Sequence, residues 1–190
     1  VASVSAAEQG VRPELSTPKL AALSFVRAME LNNMPAFEAV TIGGPDEYKL
    51  FEPLVKMVVA AKDLEKAARE KWGKAGRAVV RSSPAAGMEV QVQESDVSVD
   101  GDTAVLKRKG DEDPDPMKLR KTAVGWKVDL TAIKNRKSMT DAAPGMLKME
   151  KVFVDSAADI RAGKFRTADE AETLILKRMQ EAAGGKGKGK

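Results

Sequence analysis

The sequence holds no cysteine and no histidine among its 190 residues. Without thiols there can be no disulfide, no thiolate metal site and no cysteine nucleophile. Without imidazole the commonest general base and transition-metal ligand is missing, so Ser-His, Cys-His and histidine-based zinc chemistry are excluded. Aromatic residues make up only 4% of the chain and include one tyrosine, Tyr48. Catalysis would therefore have to rest on carboxylates, lysine or that phenol. No apolar run approaches the roughly 20 residues that span a bilayer, so no transmembrane segment is expected.

What is present describes a globular chain. Hydrophobic residues are 43% and charged residues 32%, and a chain of this length buries roughly 70% of its unfolded surface, so its core needs neither disulfides nor metals. The formal charge is +4, and Lys186, Lys188 and Lys190 of the glycine-rich tail supply three of those charges. The remainder is nearly neutral, which gives no electrostatic reason to expect specific nucleic-acid binding. The chain opens at Val1 with small residues such as Ala2, Ser3 and Ala6, which fits either a mature protein or a trimmed one, and export (periplasmic or extracellular) with the signal removed is one reading left open.

Residues Val1 to Ser16 carry few large apolar side chains and read as a loose arm. Thr17 and Pro18 suit the cap and first turn of a helix bearing Leu20, Leu23, Phe25, Val26, Met29 and Leu31, ended by Asn32 and Asn33. A short helix over Pro35 to Val40 stops at Gly43-Gly44, and Pro45 opens a third with Asp46 and Glu47 in its first turn. Pro53 predicts a break or kink near Glu52, with a longer helix restarting at Pro53 and running to about Lys74.

From Met88 the apolar rhythm reads as two, with Met88, Val90 and Val92 alternating with Glu89, Gln91 and Gln93, which predicts a half-buried strand. Val97, Val99, the Asp100-Gly101 pair, Ala104 and Leu106 predict a hairpin. Met117 and Leu119, then Trp126, Val128 and Leu130 after a Val124-Gly125 turn, predict two more antiparallel strands. Helical spacing returns with Pro144 near a start and Met146, Met149, Phe153, Ala157 and Ile160 on one face until Gly163. A final helix starts at a capping box of Thr167 and Glu170 and presents Ala171, Leu174, Ile175 and Met179. The tail from Gly184 to Lys190 is low-complexity and predicted to be flexible.

Helices followed by meandering strands that end in Gly125-Trp126-Lys127-Val128-Asp129-Leu130 resemble the nuclear transport factor two-like superfamily. The features carrying the resemblance are the opening helix Leu20 to Leu31, the hairpin around Asp100-Gly101-Asp102-Thr103-Ala104, and the strand of Met117-Lys118-Leu119 leading to Trp126. The resemblance implies a bent sheet wrapped around helices, with a cone-shaped apolar pocket lined by Phe25, Met29, Phe51, Trp126 and Val128. It embraces ketosteroid isomerases, dehydratases and polyketide cyclases as well as pure binding and dimerisation domains. The segment Asp159 to Phe165 with its two helices is similar to C-terminal extensions of uncharacterised exported bacterial proteins of this type.

Candidate chemistry is sparse. Asp111, Asp113 and Asp115 open like a calcium loop, but Pro116 stands where glycine is needed and Thr122 where a glutamate is needed. Asp96, Ser98, Asp100 and Gly101 fit that opening better, yet Lys107 occupies the glutamate position. A proton-transfer pair of Tyr48 with Asp129 or Asp46 would need a carboxylate made basic by burial, whereas strand alternation turns Asp129 away from Trp126, Val128 and Leu130. Trp72 and Trp126 read as core anchors. Gly73 and Gly76 close a helix, the reverse of what phosphate binding requires.

The expected architecture is α+β: N-terminal helices packed on a curved antiparallel sheet of about four strands, with two more C-terminal helices. The expected divisions are an arm at 1–16, the α+β domain at 17–133, a helical extension at 134–183 and a tail at 184–190. The expected function is a non-catalytic binding or assembly module, taking a small apolar ligand or forming a homodimer through the sheet. The alternative is a small-molecule isomerase or lyase using a buried carboxylate with Tyr48. No metal or other cofactor is expected, and Lys186, Lys188 and Lys190 offer a contact to an anionic surface.

Overall fold

The computed structural model describes residues 13–80, 87–108, 110 and 116–184. The fold is α+β, with helices and a five-stranded mixed sheet. The chain forms two compact units: Val1–Ala28, Asn33–Gly43 and Glu89–Ile133 make the first, and Met29–Asn32, Gly44–Met88 and Lys134–Lys190 the second. Ile133 ends the first unit, and residues Gly44–Met88 group with the C-terminal helices.

The first unit contains the sheet. Helix α1 (Pro18–Glu30) begins at Thr17, whose Oγ1 accepts from the Leu20 amide at 3.3 Å, and ends before Asn32, the one described non-glycine residue at positive φ (50°). Its Ala21, Ala22, Phe25 and Val26 are buried. Helix α2 (Met34–Val40) is capped by Asn33 and leads directly into β1 (Thr41–Ile42), a two-residue strand not expected from the sequence. Thr41 is buried, and its Oγ1 donates to the Phe37 carbonyl at 2.8 Å, so the polar side chain is satisfied by the helix it follows.

The sheet runs β1-β5-β4-β3-β2. Strands β2 (Asp96–Asp100), β3 (Thr103–Lys107), β4 (Met117–Thr122) and β5 (Gly125–Asp129) form an antiparallel meander, and β1 adds in parallel to β5. Register places Ala104 opposite Leu119 and Leu119 opposite Val128, and all three are buried on one face together with Leu106 and Trp126. The opposite face carries Arg120 paired with Lys127 and Thr103. This two-residue alternation is the pattern read in the sequence.

The first hairpin turns one residue later than expected: Asp100 pairs with Thr103, so the loop is Gly101-Asp102, with Gly101 alone at positive φ (55°). The second loop is Ala123-Val124, and Gly125 pairs with Thr122.

The second unit is helical. Helix α3 (Pro45–Trp72) passes into a 3₁₀ turn (Gly73–Gly76) and α4 (Arg77–Val80), while α6 (Arg136–Arg161) and α7 (Ala168–Ala182) follow the sheet in sequence. Helices α3 and α6 run in the same direction: Glu47 pairs with Arg136 near both starts, and Asp63 takes a bidentate pair from Arg161 at 2.6 and 2.8 Å. Alanines at 60, 61, 67 and 68 belong to the core that holds Val58, Leu64, Phe153, Ala157, Ile160 and Ile175. The alanines of α3 interleaved with Val58 and Leu64 leave room for Phe153 and Ile160 of α6 at the contact.

Two prolines expected near helix starts, Pro53 after a break or kink and Pro144 at an opening turn, lie inside continuous helices. Pro53 sits within α3, and Pro144 within α6, which starts eight residues earlier at Arg136, after the Asn135 cap. Proline removes one backbone bond but does not fix a helix end when both flanks are anchored. Phe51 and Val55 are buried on either side of Pro53, and Glu52 pairs with Lys56 at 2.8 Å across it.

The predicted strand at Met88–Val92 is overturned: Met88–Glu94 is a helix, α5. Met88 and Val92 are also four residues apart, which is one helical turn, and Val92 is buried whereas Val90 is 51% exposed. Within the first unit, Lys19 of α1 donates to the Gln93 carbonyl at 2.7 Å and Arg27 pairs with Glu89 at 3.1 Å.

Candidate functional site

The described residues gather two features in addition to the core: a charged groove in the helical unit and an open strand at the sheet edge. The groove is built from residues that the sequence did not bring together, whereas Asp96, Ser98 and Asp100 of the open strand were read there as the opening of a calcium loop.

The groove encloses about 620 Å³ between α6 and α7. Its α6 wall carries Lys148, Lys151, Val152, Asp155 and Asp159, and its α7 wall Arg178 and Glu181. A tight turn positions these walls: α6 ends at Gly163 (φ 75°), and the Thr167 hydroxyl starts α7 by accepting from the Glu170 amide at 3.2 Å. The Glu170 carboxylate accepts from the Arg166 amide, one residue before the cap.

Asp159 is the centre of the groove. Its side chain is 13% exposed and takes Lys164 Nζ at 2.7 Å and Arg178 Nη2 at 2.8 Å. The Lys164 ammonium, then the Arg178 guanidinium, hold its carboxyl below the usual range. The other guanidinium nitrogen of Arg178 donates to Ser156 Oγ at 3.3 Å, and Ser156 is fully buried. Lys151 is matched by Asp155 at 2.9 Å. The positive groups of the groove are thus largely neutralised by its own carboxylates, and the arrangement braces α7 onto α6.

At the sheet edge, all five residues of β2 are exposed, although their neighbours Ala104 and Leu106 on β3 are buried. Val97 is 37% and Val99 55% exposed, so the apolar face of the sheet continues past its cover. Asp96, Ser98 and Asp100 alternate with them on the other face.

The residues singled out in the sequence fall in both units. Asp129 accepts from Thr131 N at 3.0 Å and Thr131 Oγ1 at 2.6 Å, and pairs with Arg120 at 3.3 Å. These contacts make it the cap of a 3₁₀ turn (Leu130–Ala132). Tyr48 and the exposed Asp46 lie in the first turn of α3, and Tyr48 belongs to the helical unit while Asp129 belongs to the sheet unit. Asp96 and Glu94 are exposed.

Of the residues expected to line a cone, Phe25, Trp126 and Val128 are buried in the sheet unit, where the Phe25 ring lies 5.3 Å from that of Phe37. Met29 and Phe51 are buried members of the helical unit. Asp96, Ser98 and Asp100 lie on an extended strand, which spaces alternate side chains roughly 7 Å apart instead of wrapping them around an ion. Among the described residues no group of three or more acidic side chains is placed to hold a metal, and no helix among them is long and apolar enough to cross a membrane. Asp111, Asp113, Asp115, Lys186, Lys188 and Lys190 lie outside the described residues.

The groove and the open edge escaped the sequence because each depends on a neighbour. Asp159, Lys164 and Arg178 converge only through the turn at Gly163, and β2 reads like its buried neighbours until the strand order shows it to be terminal. No protein-family model, no curated protein and no solved structure matches the chain.

Proposed function

We propose that the chain is a non-catalytic assembly module that takes an extended basic segment of a partner polypeptide along β2. The observation carrying this reading is the edge strand itself: five exposed residues, with two valines open on the face whose inner positions are buried. An edge strand offers unpaired amides and carbonyls to an incoming strand, and alternate side chains supply the selectivity. Here the selectivity comes from Asp96 and Asp100. Pairing β2 with a second copy about Ser98 would set Asp96 opposite Asp100, which is repulsive. A strand bearing lysine or arginine at alternate positions relieves that conflict and leaves Val97 and Val99 to meet apolar residues.

The proposed kinship with the nuclear transport factor two-like superfamily is compatible with this role, since that superfamily includes binding and dimerisation domains. The isomerase alternative loses support from Asp129, whose oxygens are engaged by Thr131 and Arg120.

The test uses fluorescent peptides that alternate lysine with valine or glutamate with valine, titrated against the full chain and followed by anisotropy. The lysine peptide is expected to bind, the glutamate peptide is not, and Asp96→Lys with Asp100→Lys is expected to reverse the order. Equal binding of the lysine peptide to both proteins, or no binding to either, would overturn the proposal.

A further inference from the structure

Strand β2 and the tail of the chain are complementary position by position, which deepens the edge-strand reading above and rests on it. β2 is Asp96-Val97-Ser98-Val99-Asp100, exposed throughout. The tail carries Lys186-Gly187-Lys188-Gly189-Lys190, beyond the described residues. An extended chain sends alternate side chains to one face. Asp96 and Asp100 share a face of β2 with Ser98, and an extended tail sets its three lysines on one face at the same spacing. Among the described residues neither Asp96 nor Asp100 is held in an ion pair, although Lys107 stands across from Asp96 on β3.

The backbone fits the same register. Two residues close the hairpin of β2 and β3 between Asp100 and Thr103. In such a hairpin the closing pair bonds across the strands and the pattern then alternates. Asp96, Ser98 and Asp100 therefore bond β3, while Val97 and Val99 turn their amides and carbonyls outward. An antiparallel tail with Lys188 opposite Ser98 sets Gly189 opposite Val97 and Gly187 opposite Val99, so the outward groups meet glycine backbone. Lys190 then stands opposite Asp96, and Lys186 opposite Asp100. These are the non-hydrogen-bonded pairs, whose α-carbons come closest, at about 4.5 Å, and in which opposite charges stabilise.

We infer that β2 of one copy of this chain takes the Lys186 to Lys190 segment of a second copy as an added antiparallel strand. Charge complementarity names this occupant: β2 against β2 is repulsive, whereas the tail brings a lysine to each aspartate. Coming from a second copy, the segment approaches the edge with no constraint from its own chain path. Glycine is costly to hold extended and adds no side chain over Val97 and Val99. The tail is thus a weak ligand selected by charge, which a segment alternating lysine with valine outcompetes. The contact joins two unlike surfaces, so each copy can both give and receive a strand.

Sedimentation of the full chain at low salt tests this. Its average mass is expected to rise with concentration and to fall when salt is added, whereas a chain ending at Gly184 stays monomeric. Asp96→Lys with Asp100→Lys, and separately Lys186→Glu with Lys190→Glu, are each expected to weaken association about tenfold. Mixing the two variant proteins is expected to restore it, because the altered edge of one meets the altered tail of the other. The absence of cysteine makes the register readable. Ser98→Cys oxidised with Lys188→Cys is expected to give several-fold more mixed disulfide than Ser98→Cys with Gly187→Cys, whose side chain leaves by the other face. A full chain that stays monomeric overturns the inference, as does association that survives loss of residues 185–190 or cross-linking equal at positions 187 and 188. If that monomeric chain still binds the peptide alternating lysine with valine, the edge-strand reading stands and only the tail is removed from it. Failure of both removes β2 as a docking surface.

Discussion

The amide of Trp126 donates to the Leu15 carbonyl at 2.8 Å, which ties the segment before α1 to the start of the last strand. Glu14 adds two bonds with Ser24, at 3.0 and 3.3 Å, so the end of the arm expected to be loose is held at three points. This closeness depends on the residue beside Trp126. A Cβ at Gly125 would fall 2.5 Å from the Leu15 carbonyl oxygen, and its φ of 120° is open to glycine alone at little strain. Gly125→Ala is expected to cost about 2 kcal/mol or more, from the backbone conformation together with the clash. Urea unfolding followed by tryptophan fluorescence measures it, and an unchanged midpoint would show that Leu15 is not held there.

Pro53 and Pro144 weaken helices that persist despite them. Each lacks the amide that would bond the carbonyl four residues earlier, at Lys49 and Thr140. Replacing either by alanine restores a donor inside a continuous helix, and a gain of about 1–3 kcal/mol is expected. Thermal melts by circular dichroism would record a higher midpoint for both variants. A lower midpoint for Pro53→Ala would mean that the proline ring itself is needed in the packing.

The acid side of the stability profile rests on carboxylates whose folded state favours ionisation. Asp159 is lowered by Lys164 and Arg178, Asp63 by Arg161, and Glu47 by the Gly44 amide and then Arg136. A depressed folded pKa gives stability that is present in full above the unfolded value, about 4, and is lost as pH falls through the folded value. Wild type is therefore expected to lose stability below about pH 4 more steeply than Asp159→Asn. At neutral pH the variant is the weaker of the two, and the curves converge in acid. Denaturant midpoints between neutral pH and acid conditions test this, and parallel curves would remove Asp159 from the account.

How far the sequence was legible depended on how many residues an element spans and what covers it. The strands at Ala104, Leu119, Trp126 and Val128 were readable because one face is buried and the two-residue period is enforced there. Helices α1 and α7 were readable from Thr17 and Thr167, caps whose chemistry is local. Strand β1 was not, because two residues have no period; it exists through its pairing with Val128 and Asp129. The prolines misled because their penalty is local whereas the anchors at Phe51, Val55 and Phe153 are tertiary. The candidate site was hardly legible at all, since edge position and the convergence on Asp159 are properties of the assembled fold.

Residues Met88–Glu94 show that ambiguity in its sharpest form, and two substitutions separate the possibilities. In a strand, Met88, Val90 and Val92 would share one face and lose comparable burial on truncation. In the helix, Val92 lies on the buried side, whereas Val90 is rotated 200° from it and is 51% exposed. Val92→Ala is therefore expected to cost about 1–2 kcal/mol. Val90→Ala is expected to be neutral within about 0.5 kcal/mol, or slightly stabilising, because alanine is the better helix former. Equal losses at the two positions in denaturant unfolding would return the segment to the extended form that its alternating pattern first suggested.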